Sequence, residues 1–219
     1  MGRVTYESTS AAEAIRTSCF ELRFWYHENH WRHEIISGGA TASIPRIVPV
    51  GPLVDEFDHG RVVNPTYQQI HLDRDRQGGV RAMLVGQSGP HHFSAVFLVT
   101  ESEGGATIDV DVADRCLAPT HALAATYEVA TSPGQWNAVA ATDPAGREQT
   151  NIVLDASDPV CHLVFAVDPP GLAALDAASP ARVRVQALAH LDPSQQTQRF
   201  RYRWRWVKDP RPTNPDRAT

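Results

Sequence analysis

Arginine and aromatic residues alternate without interruption over residues 199–206, within the segment 198–207 near the end of the chain. The basic positions are Arg199, Arg201, Arg203 and Arg205. Successive side chains of a β-strand point to opposite faces, so we predict a strand with one aromatic face and one guanidinium face. Guanidinium groups bind carboxylates and phosphates through planar, paired hydrogen bonds. The chemistry that this face predicts is therefore binding of an anionic ligand or an acidic partner.

Two more arginines, Arg182 and Arg184, lie in the preceding predicted strand, and a turn at residues 192–194 would join the two strands into a hairpin. Any register that keeps the apolar faces together also puts all six arginines on one face, because only even shifts preserve the face. Like charges across strands need an anionic neighbour. Asp109 and Asp111 are the first candidates, and we favour them over a bound anion because exposed strand faces are usually solvated charge ladders.

Histidine recurs at His27, His30 and His33, a spacing that suggests metal ligands. We predict a hairpin over residues 20–37 that turns at residues 28–29. This hairpin pairs His27 with His30 and directs His33 to the opposite face, against the core. The three histidines therefore do not converge on one metal ion.

If a divalent metal is present, we expect His27 and His30 among its ligands, with His91 or His92 as a possible third. Spacing alone does not show that such ligands converge, so we favour surface histidines and a hydrogen-bonded core His33. The sequence requires no cofactor.

Two other segments resemble known functional motifs but lack a residue or a spacing that the motif requires. Residues 73–78 begin like a calcium loop, but Leu84 stands where that loop needs a bidentate Glu. The Gly-Gln-Ser-Gly sequence at residues 86–89 lacks the spacing of a nucleophile elbow. We interpret both segments as turns.

Short alternating segments, separated by turn residues about every ten positions, predict an all-β fold. We expect a two-sheet antiparallel sandwich or jelly roll, with a flattened closed barrel as the alternative, and short helices at residues 10–16 and 172–178. Residues 1–19 are predicted to form an N-terminal arm with a short helix. Residues 20–207 would form a single all-β domain, and residues 208–219 a flexible tail.

The composition argues against several classes of binding partner and of protein. The net charge of -5 argues against general binding to nucleic acid or to an anionic membrane, since both need surplus positive charge. The three cysteines form no Cys-x-x-Cys pair, which argues against a disulfide framework. We find neither a signal peptide nor an apolar run of roughly 20 residues, and expect a cytoplasmic protein.

Two functions remain. The first is a binding protein whose arginine-rich sheet face or cleft accepts a small anionic or sugar-like ligand, or an acidic partner. The second is an enzyme that uses paired histidines, with or without a divalent metal, for acid–base or hydrolytic chemistry. We favour the first because no catalytic motif is found. The sequence does not indicate the oligomeric state.

Overall fold

The chain is built from β-strands. The computed structural model describes residues 4–9, 12–37, 46–50, 58–130, 136–141, 151–156, 161–179 and 182–208. The strands are β1 (Thr5–Ser8), β2 (Ala12–Arg16), β3 (Phe20–His27), β4 (His30–Ser37), β5 (Arg46–Pro49), β6 (Arg61–Val62), β7 (Gln69–Arg74), β8 (Val80–Ser88), β9 (His91–Ser102), β10 (Gly105–Cys116), β11 (Ala122–Ala130), β12 (Trp136–Ala141), β13 (Asn151–Ala156), β14 (Cys161–Val167), β15 (Leu172–Ser179), β16 (Arg182–Leu188) and β17 (Thr197–Lys208). Within these ranges no helix is long and apolar enough to cross a lipid bilayer.

The strands form two sheets. The first has the order β1-β2-β3-β4-β5-β11-β16-β15, and the short β6 runs parallel to β11. The second has the order β12-β13-β14-β17-β10-β9-β8-β7. Among the described residues, no strand of one sheet pairs with a strand of the other. The fold is therefore the predicted antiparallel sandwich, and the closed-barrel alternative is wrong.

Aromatic side chains connect the two sheets across one core. Phe24 of the first sheet meets Phe97 of the second edge to face, with ring centroids 5.7 Å apart. Tyr127 meets Trp204 in the same way at 5.5 Å. Such contacts add to the free energy gained by burying the rings.

The first hairpin has the predicted register. His27 pairs with His30, and Leu22 pairs with Ile35. The turn residues Glu28 and Asn29 have φ of 50° and 64°, as a tight two-residue turn requires.

The last strand has the predicted orientation. Its aromatic side chains are at most 5% exposed, whereas its four arginines are exposed. The buried residues are Phe200, Tyr202, Trp204 and Trp206. β17 pairs with β10 on one side and with β14 on the other, which places this aromatic row in the middle of the second sheet.

Both predicted helices are wrong. In the segment 10–16, the described residues form β2, which pairs with β1 and β3. In the segment 172–178, the chain forms β15, which pairs with β16. Both sequences are short and suit a helix locally, but pairing with neighbouring strands and burial of Ile15 and Ala173 override that preference. The segment 1–19 therefore contributes two strands to the first sheet, and residues 209–219 lie outside the described part of the chain.

The predicted hairpin of the last two strands is also wrong. β16 lies between β11 and β15 in the first sheet, whereas β17 lies in the second. The turn at residues 192–194 belongs to a connection that crosses from one sheet to the other. Val185 and Trp204 still face one core, but from opposite sides. The prediction of which side chains face the core was correct for each strand. The prediction that β16 and β17 belong to one sheet was wrong.

Candidate functional site

The arginine face of β17 lies on the outer surface of the second sheet, beside the acidic positions of β10. Arg199 Nε donates to Asp111 Oδ1 at 2.7 Å, and Arg201 Nε donates to Asp111 Oδ2 at 2.8 Å. Arg203 donates to Asp109. The carboxylates favoured from the sequence therefore bind three of the four arginines.

Asp111 is held as a carboxylate by this arrangement. Partial burial raises its pKa, but the hydrogen bonds and charges of Arg199 and Arg201 outweigh burial and lower the pKa below its ordinary value. Arg205 lies across from Thr107 and Val164, which carry no charge. Most of the positive charge on this face is thus compensated within the chain.

The other two predicted arginines lie elsewhere. Arg182 and Arg184 are on the outer face of the first sheet, on the opposite side of the sandwich from β17. Arg182 Nη1 is 3.0 Å from Glu128 Oε1, and Arg184 pairs across strands with Glu128 and Asp176. The predicted six-arginine face does not form, because the strands belong to different sheets.

His27 and His30 are cross-strand neighbours at the end of the first hairpin, whereas His91 and His92 lie in β9 of the other sheet. His30 Nδ1 donates to the Glu28 carbonyl at 2.8 Å, and its Nε2 accepts from Arg32 Nε at 3.2 Å. His91 is fully buried in the second sheet, and His92 is exposed on its outer face. Among the described residues, no group of three His, Cys, Asp or Glu side chains could hold a metal ion.

His91 belongs instead to a buried polar cluster that sequence reasoning missed. Its Nδ1 is 2.7 Å from Asp114 Oδ2, and its Nε2 is hydrogen-bonded to the carbonyl of His59. Burial lowers the pKa of His91, but these two acceptors outweigh burial and raise it. Cys116 Sγ lies 3.8 Å from His91 Nε2. Cross-strand pairing of His91 with Cys116 is the signal that could have found this cluster.

A gap in the first sheet lies between β4 and β5. These strands pair only through Ile35 with Ile47 and Ile36 with Arg46. Beyond Ile35 and Ile47 the ladder stops, and His33 of β4 and Val48 of β5 are among the residues that line a cleft of about 580 Å³. The gap is therefore an entrance through the sheet into the core.

The far end of the cleft is closed by residues 64–67. Trp31 N donates to the Tyr67 carbonyl at 2.6 Å. Asn64 Nδ2 donates to the carbonyls of Val50 and Thr126, and Asn64 Oδ1 accepts from Thr126 N at 2.7 Å. One buried asparagine thus joins this segment to β11 and to the end of β5. The cleft lining includes Trp25, Trp31, Arg32, His33, Arg46, Pro49, Pro65, Tyr67, Tyr127 and Tyr202.

A chain of hydrogen bonds forms the cleft floor. The Tyr127 hydroxyl is 3.0 Å from His33 Nε2 and 2.6 Å from the Tyr202 hydroxyl. Burial lowers the pKa of His33 to about 3, and burial raises the pKa of both tyrosines. The floor is therefore polar but uncharged at neutral pH.

A ladder of alternating charges leads across the outer face of the first sheet to the cleft mouth. Neighbouring members lie 2.5–3.2 Å apart. The ladder runs Glu7, Arg16, Glu21, Arg23, Glu34 and Arg46. Glu34 is 4% exposed and binds two arginines, whereas the terminal Arg46 binds only Glu34 in the described structure, and 62% of its side chain is exposed. Arg46 thus brings positive charge to the mouth.

Comparison with protein-family models and with the curated proteins gave no match. The function is therefore inferred from the geometry of this chain alone.

Sequence reasoning placed no function at the cleft. The signal was present in the irregular segment 40–60, where Pro45, Pro49 and Pro52 limit any strand to a short piece. A short strand in the middle of a sheet leaves its longer neighbour unpaired over part of its length. That consequence depends on β5 lying between β4 and β11, which no local pattern reveals.

Proposed function

We propose that the protein binds a small anionic or sugar-like organic ligand in the cleft between β4 and β5. The observation that carries the proposal is the interrupted β4–β5 ladder, which opens the core through a cleft of about 580 Å³. Small-molecule sites usually occupy roughly 300–1,000 Å³, with apolar walls and a few polar groups. Here Trp25, Trp31 and Pro49 supply the walls, and Arg46 supplies charge at the mouth.

The cleft is a better candidate than the arginine face of β17. Asp109 and Asp111 already bind Arg199, Arg201 and Arg203. An acidic partner would have to displace those carboxylates, and exposed pairs of this kind yield at most about 1 kcal/mol each.

Enzymatic use of paired histidines has less support. His33 is the histidine on the cleft floor, and a base with a pKa of about 3 is far from the value that suits proton transfer at neutral pH. His91 and Asp114 are both fully buried, and the His91 ring nitrogens are occupied. Binding is therefore the function that we favour.

Filling the cleft tests the proposal. Val48 lines the cleft, so Val48→Trp should occupy the ligand volume. Val96→Trp is the matched control, because Val96 is exposed on the second sheet, away from the lining residues. We expect a screen of small anions and sugars to raise the melting temperature of the wild-type and Val96→Trp proteins but not of Val48→Trp. Hits that stabilise all three proteins equally, or no hits at all, would reject the cleft as a binding site.

A further inference from the structure

The mouth and the floor of the cleft differ in charge, and this difference constrains how a ligand lies in it. Arg46 directs Nε and Nη2 at Glu34, and no other described residue accepts from its remaining guanidinium N–H groups, which can therefore donate to a ligand. Glu34 also accepts from Arg23 at 3.2 Å, so one carboxylate is shared by two guanidinium groups. Glu34 is buried and Arg46 is exposed, so a guanidinium group is presented at the mouth.

The floor offers hydrogen bonds without charge. The Tyr127 and Tyr202 hydroxyls and the His33 ring are connected to each other, and none of them is ionised at neutral pH. An anionic group buried there would lose its hydration without gaining a cation. A neutral hydroxyl or carbonyl suits this floor.

The walls favour a flat apolar body over a sugar. Trp31 and Pro65 lie along the cleft, and two of the polar side chains that line it are engaged within the chain. The Asn64 amide is bound to backbone, and Arg32 Nη2 is 2.6 Å from Glu28 Oε2. A sugar ring needs several polar partners around its circumference, and Asn64 and Arg32 are already engaged, whereas an aromatic ring can stack on the flat walls.

We infer that the ligand is an aromatic carboxylate with a neutral hydroxyl or carbonyl group at its far end, bound with its carboxylate against Arg46 and its neutral end at Tyr127. This inference rests on the proposed function, since it names the ligand class of the same cleft.

Four probes test the assignment by tryptophan fluorescence, with Trp25 and Trp31 as reporters in the cleft wall: para-hydroxybenzoate, benzoate, para-hydroxybenzamide and a methyl glucoside. We expect the hydroxybenzoate to bind about tenfold more tightly than its neutral amide, since hydrogen bonds to charged groups are the stronger ones. Arg46→Gln should abolish that difference. Arg23→Gln is the control and should keep the difference in affinity. It also removes one positive charge from the ladder, but Arg23 does not line the cleft. In the wild type, added salt should weaken binding of the carboxylate but not of the amide.

The floor is tested by the ring hydroxyl. The hydroxybenzoate should bind to the wild type about three- to tenfold more tightly than benzoate does. The two compounds should bind to Tyr127→Phe with equal affinity, because the variant lacks the hydroxyl that contacts the ligand. Equal affinity of acid and amide for the wild type, or tighter binding of the glucoside, would overturn the inference. So would probes that fail to bind while the ligand screen still gives hits sensitive to Val48→Trp; in that case the proposed function stands and only the ligand class is wrong. Hits insensitive to Val48→Trp would overturn the proposed function itself.

Discussion

Trp204 and Trp206 occupy successive inward positions of β17, and replacing each with phenylalanine removes the same atoms from similar surroundings. Their side chains are 0% and 2% exposed. They differ in the state of the indole N–H. Trp206 Nε1 donates to Ser37 Oγ at 2.7 Å, whereas the buried Trp204 Nε1 has no acceptor among the described residues.

The difference between the two substitutions follows from this contrast. Loss of apolar burial and the cavity left behind are similar in both and largely cancel. Trp204→Phe also removes a buried unsatisfied donor, which relieves a penalty of about 1–3 kcal/mol. Trp206→Phe instead breaks a hydrogen bond with a net value of about 0.5–1.5 kcal/mol. We therefore expect Trp206→Phe to lower the free energy of unfolding by about 1.5–4.5 kcal/mol more than Trp204→Phe.

Urea unfolding of the two variants measures this difference, provided that the m-values agree. Ser37→Ala provides the control: it leaves the buried Trp206 N–H without its acceptor, so it should cost about 1–3 kcal/mol in the wild type and close to nothing in Trp206→Phe. Equal losses for both tryptophan variants, or a larger loss for Trp204→Phe, would refute the reasoning from hydrogen-bond satisfaction.

Three further predictions concern other parts of the fold. His33 has a folded pKa of about 3 and an ordinary value of 6.5, so only the unfolded chain takes up this proton between those values; stability should fall as the pH drops through that range. The loss should reach up to roughly 4 kcal/mol, and His33→Gln should show less acid sensitivity in denaturation at matched pH values. Gly105 has a φ of +140°, and an added Cβ would lie 1.8 Å from the Trp206 carbonyl oxygen, whereas the nearest atom at Gly104 would be 4.0 Å away. Gly105→Ala should therefore cost about 2 kcal/mol or more, and Gly104→Ala less than about 0.5 kcal/mol, by urea unfolding; similar costs would contradict this. On the outer face, Arg201→Ala should change the free energy of unfolding by less than about 1 kcal/mol, and a larger loss would mean that the arginine face is a stabilising network.

Local sequence patterns were sufficient to predict which face of a strand is buried, because side chains alternate between the two faces. Alternation over β17 predicted its buried and exposed faces, and the turn at residues 28–29 fixed the register of the first hairpin. Pairing of Asp109 and Asp111 with β17 arginines also followed, because a one-sided acidic strand and a one-sided basic strand are complementary.

Assignment of strands to sheets was beyond local reasoning. The chain order of β16 and β17 suggested a hairpin, yet the connection crosses the sandwich, so Arg182 and Arg184 lie far from their predicted partners. The cleft was missed for a related reason, since it arises from the position of the short β5 between two longer strands. Both features depend on contacts between residues distant in the sequence.

The cleft is tested most directly by the indole and guanidinium N–H signals of the isotope-labelled protein during titration with a ligand that the screen identifies. Binding in the cleft should shift the signals of Trp25, Trp31 and Arg46, with little change at Trp204, whose ring is fully buried. Shifts confined to Arg199, Arg201 and Arg203, with none at the cleft tryptophans, would place the ligand on the arginine face of β17 and contradict the account.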